Sequence, residues 1–403
     1  MTVSGSDGFG RSRPTLPLVV DGWAVCRARV NIALIKYWGK APAPTPDDAN
    51  LPAVPSLSLT LDGLFSETAA RFAPELETDR VVLDGAELVG AERARAQLLL
   101  DAARRHHDIS SPFEIHSKNT VPTAAGLASS ASGMAAMAVA VGRLIGFDLN
   151  EAAAANTLSE LARIGSGSAS RSVFGGWVAW DGRSARPVLS RQDGPDVTVV
   201  IAVVTRDRKP IGSRDGMTLT QRTSPFFAGW VEQSHATFHE ALDALQSHDL
   251  PRLFAAMELS TWRMHASAMG ASPPVCYWLP TSLAVLGEGE QMKRDGLVCG
   301  ATLDAGPNVK VFCRTADAEA VALRLTTVPG VAHTIRAAPG DGAVCVVSNL
   351  QEPSLPQAPM SDAPGSPTGH AGSEAAEAPE HHSLRARLRS LVASATPRTG
   401  GAA

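Results

Sequence analysis

Two lysines and two aromatic residues follow a short apolar run near the start of the chain. The run covers residues 32–35, and directly after it come Lys36, Tyr37, Trp38 and Lys40. An apolar run of this kind is typical of a buried strand, and the ammonium groups at its end could bind phosphate or carboxylate oxygens. Taken alone, the pattern also fits an ordinary strand followed by a solvated turn.

A loop of small residues at positions 122–133 runs into a predicted helix, rich in Ala and Met, at positions 134–141. Small side chains let backbone N–H groups approach an anion closely, and the N-terminus of a helix adds partial positive charge. The serine hydroxyls could hold phosphate oxygens or a metal ion. The loop is not a Walker A motif, because no Gly-Lys-Ser/Thr follows. Close packing between helices would explain the same small residues.

A serine- and glycine-rich turn at positions 165–172 carries a single arginine, Arg171. It follows a predicted helix at 151–163 and precedes a predicted strand at 173–180. Its backbone donors, hydroxyls and guanidinium group could bind a diphosphate or a carboxylate. A flexible connector with a solvated arginine is the alternative.

An aspartate stands at the end of a predicted strand in the second half of the chain. Asp304 lies between the apolar segments 296–302 and 309–313, and Gly306-Pro307 follows it. An acid in this position is often only a turn former. A carboxylate held rigidly at a strand end could also act as a general base.

Together, these four segments resemble the diphosphomevalonate decarboxylases, a family of the galactokinase–homoserine kinase–mevalonate kinase–phosphomevalonate kinase (GHMP kinase) superfamily. The resemblance covers about residues 25–347, and the motifs occur in the same order as in the family. The matching motifs lie at residues 31–40, 122–130, 165–172, 216–217, 223–225, 264–266 and 304–308.

The chain departs from the family pattern at several positions. Ala41-Pro42 stands where relatives often carry a charged pair, Val54-Pro55 where they usually carry polar residues, and Ser170 where they commonly carry Cys. None of these changes removes a charge needed for the chemistry. Val54 and Pro55 could, however, mark a pocket reshaped for a substrate with one phosphate.

The resemblance implies an α+β fold of the GHMP kinase type. It implies an N-terminal domain like domain 2 of ribosomal protein S5, a ferredoxin-like C-terminal domain and an active site between them. Composition predicts a disordered leader at 1–17, domains at 18–195 and 196–350, and a disordered tail rich in Pro, Ala and Ser at 351–403. In the first domain, separate strands are predicted at 56–62 and 67–72.

The resemblance also implies a reaction. Family members use ATP and Mg²⁺ to convert mevalonate 5-diphosphate to isopentenyl diphosphate, CO2, ADP and phosphate. Phosphorylation of the C3 hydroxyl makes it a leaving group, and its departure allows the carboxylate to leave as CO2. Two alternatives remain open: a phosphomevalonate decarboxylase that gives isopentenyl phosphate, and a GHMP small-molecule kinase that does not decarboxylate its substrate.

Carried over residue by residue, the resemblance predicts a catalytic set. Asp304 would orient the C3 hydroxyl and take or polarise its proton, Lys36 would keep Asp304 ionised, and Arg171 would bind the substrate carboxylate. The predicted substrate-binding residues are Tyr37, Trp38, Gly39, Lys40, Arg93, Ser166, Gly167, Ser168, Ala169, Ser170, Arg171 and Thr223. The predicted ATP- and phosphate-binding residues are Gly126, Leu127, Ala128, Ser129 and Ser130, with Ser130 as a candidate magnesium ligand.

Charge and composition limit the classes of partner. The chain has 36 Lys and Arg residues against 40 Asp and Glu residues, which gives a net charge of -4. It shows no clustered block of basic residues, and this argues against nucleic-acid binding. The longest apolar run is well below the ~18 to 20 residues that cross a bilayer, and no secretory leader is visible. The five cysteines lack metal-ligand spacing, which suits a reducing compartment. We therefore expect a cytoplasmic enzyme that acts on small molecules and binds neither nucleic acid nor membranes. A homodimer stays open, because superfamily relatives often dimerise.

Overall fold

The computed structural model describes residues 19–20, 22–120, 129–207 and 209–346. The strands are β1 (Val19–Val20), β2 (Trp23–Ile35), β3 (Ser56–Phe72), β4 (Arg80–Leu83), β5 (Ala86–Glu87), β6 (Phe113–Asn119), β7 (Trp177–Trp180), β8 (Ala185–Leu189), β9 (Val197–Val203), β10 (Cys299–Leu303), β11 (Val309–Arg314), β12 (His333–Ala337) and β13 (Val344–Cys345). The helices are α1 (Gly90–His107), α2 (Ser129–Leu144), α3 (Ala152–Gly165), α4 (Ala169–Ser172), α5 (Ser213–Thr223), α6 (Phe227–Gln246), α7 (Leu250–Met269), α8 (Pro280–Arg294) and α9 (Ala318–Thr326).

Among the described residues, the first sheet has nine strands. Its main path runs β1-β2-β3-β6-β4-β5, while β13 pairs with β2, β7 with β3, and β8 with β7. The prediction of two strands at 56–62 and 67–72 is wrong, because β3 is one continuous strand. Gly63 lies within it at a φ of 78°, a conformation open to glycine at little cost, so the strand continues through this position.

Helix α2 packs against β2 and β3 through small side chains. Ala131, Ala135 and Ala138 are fully buried there. A Cβ added to Gly142 would lie 2.1 Å from Leu158 of α3, so the glycine is needed for the close approach of α2 and α3. The small residues of this helix body therefore serve packing, whatever the preceding loop binds.

The second sheet is antiparallel, in the order β10-β11-β9-β12. The residues of β9 are all buried. One apolar cluster contains Ile32 and Leu34 of β2, Val199 of β9 and Phe254 of α7. The carboxyl ends of β2 and β10 can therefore be held in a fixed relationship by shared packing.

Several features were not predicted. Strand β12 and helix α5 were missed, and the segment 165–172, read as a turn, contains the end of α3 and the short helix α4. Cys26 and Cys345 form a disulfide between paired positions of β2 and β13, which the scattered cysteine spacing did not indicate. Within the described ranges, none of the helices combines the length and the apolar character needed to cross a bilayer.

Candidate active site

A cavity of about 560 Å³ lies where the end of β2, helices α1, α2 and α4, the start of α5 and the end of β10 meet. Of the predicted residues, its walls include Lys36, Tyr37, Trp38, Lys40, Ser130, Ser166, Gly167, Ser168, Arg171 and Asp304. The structure thus brings together residues from all four of the motifs that the sequence singled out.

Asp304 lies directly after β10 and is bracketed by two lysines. Lys36 Nζ lies 2.7 Å from its Oδ1, and Lys310 Nζ, from β11, lies 3.0 Å from its Oδ2. Both lysine side chains are buried, whereas the aspartate side chain is 25% exposed, on the wall of the cavity. Burial alone would raise the pKa of Asp304, but attraction to the two ammonium groups outweighs it and holds this pKa well below its usual range.

Lys36 is held by the backbone as well as by Asp304. Its Nζ donates to the carbonyl oxygen of Ala33 at 2.9 Å, and its backbone N–H donates to Ser260 Oγ of α7 at 3.0 Å. Burial lowers the pKa of Lys36 to about 8, although the attraction to Asp304 opposes the shift. The residue therefore carries a proton that it can lose just above neutral pH.

Arg171 reaches the cavity from α4 with its fork fixed by uncharged groups. Its Nε donates to Asn31 Oδ1 at 3.1 Å and its Nη1 to Ser56 Oγ at 2.7 Å. Burial lowers its pKa to about 10, so the group stays charged near neutral pH. Among the described residues it forms no ion pair. An arginine fixed in this way can bind a carboxylate or phosphate that enters the cavity.

Tyr37 and Gly167 lie against each other in the wall. The Tyr37 ring packs on Trp180 with centroids 4.7 Å apart. A Cβ added to Gly167 would lie 2.6 Å from the Tyr37 hydroxyl oxygen, so only glycine fits here without displacement. The close approach explains why this turn between α3 and α4 needs a residue without a side chain.

Lys40 lies at the other end of the aromatic segment and is anchored by its backbone. Its N–H donates to Gln221 Oε1 at 3.0 Å, and Gln221 Nε2 donates to its carbonyl oxygen at 2.8 Å. Burial, followed by repulsion from Arg214, lowers the pKa of Lys40 to about 8. Lys40 and Arg214 thus share this part of the cavity.

Sequence reasoning missed several polar residues of the site, which are Asn31, Ser56, Arg95, Lys209, Ser213, Arg214, Asp215 and Lys310. Lys209 lies in the segment between β9 and α5, and Arg214 lies in the first turn of α5, a helix that was not predicted. Lys310 pairs with Thr302 across the β10–β11 hairpin. Recognising that Asp304 opens a tight hairpin would have placed the start of β11 beside it.

Arg93 and Thr223, predicted to bind substrate, are not among the cavity-lining residues that the structure describes. Arg93 instead bonds to Glu87 Oε1 at 3.3 Å and to the carbonyl oxygen of Asp79 at 3.0 Å. The hydroxyl of Thr223 donates to the Leu219 carbonyl and accepts from the Ser272 N–H. The structure places neither side chain at the site, because both bond to groups elsewhere.

Gly39, Ala169 and Ser170 support the site without lining it in the described part of the chain. A Cβ on Gly39 would lie 2.7 Å from the Phe227 ring, and the φ of 115° also favours glycine. Ala169 is buried, and the Ser170 hydroxyl bonds to Ser159 at 2.7 Å within the core. These residues hold the backbone that positions their neighbours.

The predicted phosphate loop lies only partly within the described residues. Gly126, Leu127 and Ala128 lie outside the described residues, and for Ser129 only the backbone, at the start of α2, is described. Ser130 is exposed. Both Ser130 and Gly133 line the cavity.

Matches to known proteins identify the family of this chain. The family model Diphosphomevalonate decarboxylase-like N-terminal domain matches residues 28–187, and Mevalonate 5-diphosphate decarboxylase C-terminal domain matches residues 199–355. The chain belongs to the diphosphomevalonate decarboxylase family. The diphosphomevalonate decarboxylase of Candida albicans is 34% identical over an alignment of 318 residues that covers 73% of this chain and 85% of the relative.

Solved structures of diphosphomevalonate decarboxylases confirm the predicted α+β GHMP kinase fold. The mevalonate diphosphate decarboxylase of Staphylococcus aureus matches with a TM-score of 0.74 and 35% identity, over 81% of this chain and 98% of that one. A protein named MDDEF, solved in complex with MVAPP, AMPPCP and magnesium, matches with a TM-score of 0.72 and 36% identity, over 80% of this chain and 98% of that one.

Proposed function

We propose that the chain uses ATP to convert mevalonate 5-diphosphate to isopentenyl diphosphate, CO2, ADP and phosphate. The observation that carries the proposal is the meeting, in one cavity, of an ionised carboxylate bracketed by lysines, Asp304, and a fixed guanidinium, Arg171. The reaction needs one group that orients a hydroxyl and another that binds a carboxylate.

The chemistry has two stages. The C3 hydroxyl oxygen attacks the terminal phosphorus of ATP, the bond to ADP breaks, and the hydroxyl proton is lost. The C3–O bond then breaks with its electron pair leaving on phosphate. The bond to the carboxylate breaks next, its electron pair forms the alkene, and CO2 leaves.

In the first stage, Asp304 would accept a hydrogen bond from the C3 hydroxyl and polarise it. With its pKa held so low by Lys36 and Lys310, the carboxylate is a weak base. It can receive the proton only as the oxygen becomes acidic through bonding to phosphorus. Orientation and polarisation are therefore its main contribution, as in other phosphoryl transfers that depend on positioning and charge neutralisation.

In the second stage, Arg171 would hold the substrate carboxylate in line with the breaking bond. Its Nε and one Nη1 hydrogen are engaged by Asn31 and Ser56, which leaves further donors of the five on a guanidinium for a ligand. A group fixed before binding loses little conformational freedom when the carboxylate arrives.

The 5-diphosphate would bind among Tyr37, Lys40, Ser166, Ser168 and Arg214, all on the cavity wall. Together, Lys40 and Arg214 provide more positive charge than one phosphate requires. The replaced positions Ala41, Pro42, Val54 and Pro55 are absent from the cavity lining of the described residues. Val54 instead packs in the core beside Trp38, so it does not support a pocket reshaped for a monophosphate.

ATP would enter from the side of α2. Ser130 would contact the phosphates, and an apolar slot formed by Val81, Leu83, Leu88 and Met137 could take the flat base. Within the described ranges, no group of three or more His, Cys, Asp or Glu residues could hold a metal ion. Mg²⁺ would therefore arrive on the ATP phosphates, with the Ser130 hydroxyl as its candidate ligand from the chain.

ADP release from purified protein tests this function on mevalonate, its 5-phosphate and its 5-diphosphate. The 5-diphosphate should be preferred at least a hundredfold in kcat/KM, because two charge-assisted hydrogen bonds to the distal phosphate contribute about 3 to 6 kcal/mol. Preference for the 5-phosphate would identify a phosphomevalonate decarboxylase. ADP release without CO2 would identify a simple kinase.

The domain boundary at 195/196, the cytoplasmic location and the homodimer stay predictions. The mass of the purified protein in solution tests the homodimer. Limited proteolysis, which favours exposed segments with few contacts, tests the boundary and the leader.

A further inference from the structure

The end of helix α3 is joined to the loop at residues 45–50 through the side chain of Arg163, which is fully buried. The guanidinium group donates to the backbone carbonyl oxygens of Asp47, at 2.7 Å, and of Ala49. Its Nε donates to the carbonyl oxygen of Arg183 at 2.7 Å. Buried donors need partners, so Arg163 fixes the backbone of this loop against the last turn of α3.

Asn50 completes the joint from the side of the loop. Its Nδ2 donates to the carbonyl oxygens of Arg163 at 3.0 Å and Ile164 at 2.9 Å. Both carbonyls belong to the last turn of α3, where carbonyl groups lack partners within the helix. Asn50 has a φ of 62°, a left-handed conformation that asparagine adopts more readily than most residues. Side chain and backbone therefore both suit asparagine at this position.

The joint lies behind two walls of the cavity. The turn at residues 166–168 directly follows α3 and lines the cavity. On the other side, the loop continues into a segment that pairs with the backbone around Lys40. The Ala41 N–H donates to the Leu51 carbonyl oxygen at 2.9 Å, and the Ala53 N–H donates to the Gly39 carbonyl oxygen at 3.2 Å. The position of one wall thus depends on that of the other through the joint.

Tyr37 lies at the place where the two walls meet. Its hydroxyl oxygen lies 3.5 Å from the carbonyl oxygen of Asn50, which is itself a lining residue. The Tyr37 hydroxyl also lies so close to Gly167 that a Cβ there would be 2.6 Å away. A shift of the loop would therefore change the distance between the aromatic segment and the turn at 166–168.

We propose that Asn50 is a positioning residue for the substrate, whose two side-chain hydrogen bonds hold Tyr37 and the turn at 166–168 at the separation that the 5-diphosphate requires. Asn50 acts through these neighbours and not on the reacting atoms. The inference rests on the proposed function, because that function places the 5-diphosphate between the two walls. ATP would enter from the side of α2, so loss of the joint should weaken substrate binding and spare nucleotide binding.

Steady-state kinetics of the full-length Asn50→Gly variant test the proposal. Glycine removes both side-chain hydrogen bonds and keeps the left-handed conformation. We expect KM for mevalonate 5-diphosphate to rise roughly tenfold, the size of one good hydrogen bond, while kcat stays within about twofold of wild type. The affinity for AMPPCP and magnesium, measured by calorimetry, should also stay within about twofold.

The matched control is His248→Gly. His248 is exposed between α6 and α7 and also has a left-handed φ, of 56°, so the substitution introduces the same extra chain freedom far from the joint. We expect wild-type KM and kcat for it. If Asn50→Gly does not fold, Asn50→Asp takes its place. It keeps the shape of the side chain but presents an oxygen where Nδ2 donates, and KM should rise at least as much.

The outcomes separate the inference from the function. A merely structural role would reduce the folded fraction, and with it kcat, without changing KM. A fall in kcat at wild-type KM, or unchanged kinetics, would therefore overturn the role of Asn50 and leave the decarboxylase proposal standing. Equal losses of affinity for substrate and AMPPCP would overturn it as well. Wild-type protein that does not turn over mevalonate 5-diphosphate would overturn the proposed function, and the inference with it.

Discussion

Lys36 Nζ lies 2.7 Å from Asp304 Oδ1, although 268 residues separate the two in sequence. The lysine directly follows β2 and the aspartate directly follows β10, so the contact joins the ends of strands from two different sheets. Helix α7 supports it, because Ser260 accepts from the Lys36 N–H. The pair therefore depends on how the two sheets pack together.

Asp304→Asn should lower kcat at least ~10²-fold, the scale of lost acid–base assistance. The amide cannot accept a hydrogen bond from the hydroxyl as strongly as a carboxylate. The variant should also melt earlier, since Lys36 and Lys310 lose their shared counter-charge; removing one partner of a buried pair costs about 3 to 5 kcal/mol. Turnover and thermal melting, measured on the same preparation, check both effects. Near wild-type turnover would remove Asp304 from the mechanism.

Arg171→Lys should impair catalysis almost as much as Arg171→Ala. A lysine cannot reproduce the bonds to Asn31 and Ser56 and still offer a fork to the carboxylate. We expect kcat/KM for the 5-diphosphate to fall by about two orders of magnitude or more, the size expected for one or two lost charge-assisted bonds. Steady-state kinetics check this, and full activity of the lysine variant would show that charge alone suffices.

Gly167→Ala should reduce substrate binding, because its Cβ would lie 2.6 Å from the Tyr37 hydroxyl oxygen and push the ring away. We expect a rise in KM of roughly tenfold, the effect of about 1.4 kcal/mol. The matched control is Gly182→Ala, where an added Cβ meets nothing within 4 Å. Equal kinetics in the two variants would show that the position of Tyr37 does not matter.

The pH profile should report the buried lysines. Lys36 and Lys40 each have a pKa of about 8 instead of 10.5, because burial disfavours the ammonium form. We expect kcat/KM to fall as the pH rises through about 8, while kcat falls at higher pH because bound phosphates raise the lysine pKa.

Stability should follow the opposite trend. Between about pH 8 and 10.5 the unfolded chain binds more protons at these lysines than the folded chain, so their contribution to the free energy of unfolding rises with pH. Loss of activity accompanied by a matching fall in melting temperature across this range would therefore indicate unfolding and contradict the assignment.

Local patterns in the sequence pointed to site residues that differ clearly in type from their neighbours in the chain. Lys36 and Asp304 stand at strand ends, and Arg171 lies in a segment of small residues, so each is visible as a break in pattern. The structure brings these three side chains to one cavity. Lys310 was missed because its partner is set by the register of the β10–β11 hairpin.

Helix phase explains why Arg93 does not line the cavity. Arg93 and Arg95 are two positions apart on α1, which turns them by roughly 200° around the helix axis. Arg95 therefore faces the cavity while Arg93 bonds to Glu87 and Asp79. Sequence alone cannot choose between neighbouring arginines when the alignment of the helix is loose. Helix α5 was missed because its sequence is mostly polar and buries few residues.

The ratio of CO2 to ADP tests the central claim most directly. Wild-type protein, given ATP, Mg²⁺ and mevalonate 5-diphosphate labelled in its carboxylate, should release one labelled CO2 for each ADP, because Asp304 and Arg171 act on one substrate in one cavity. ADP without labelled CO2 would contradict the account and leave only a kinase. No ADP at all, from protein that binds nucleotide, would contradict it more completely.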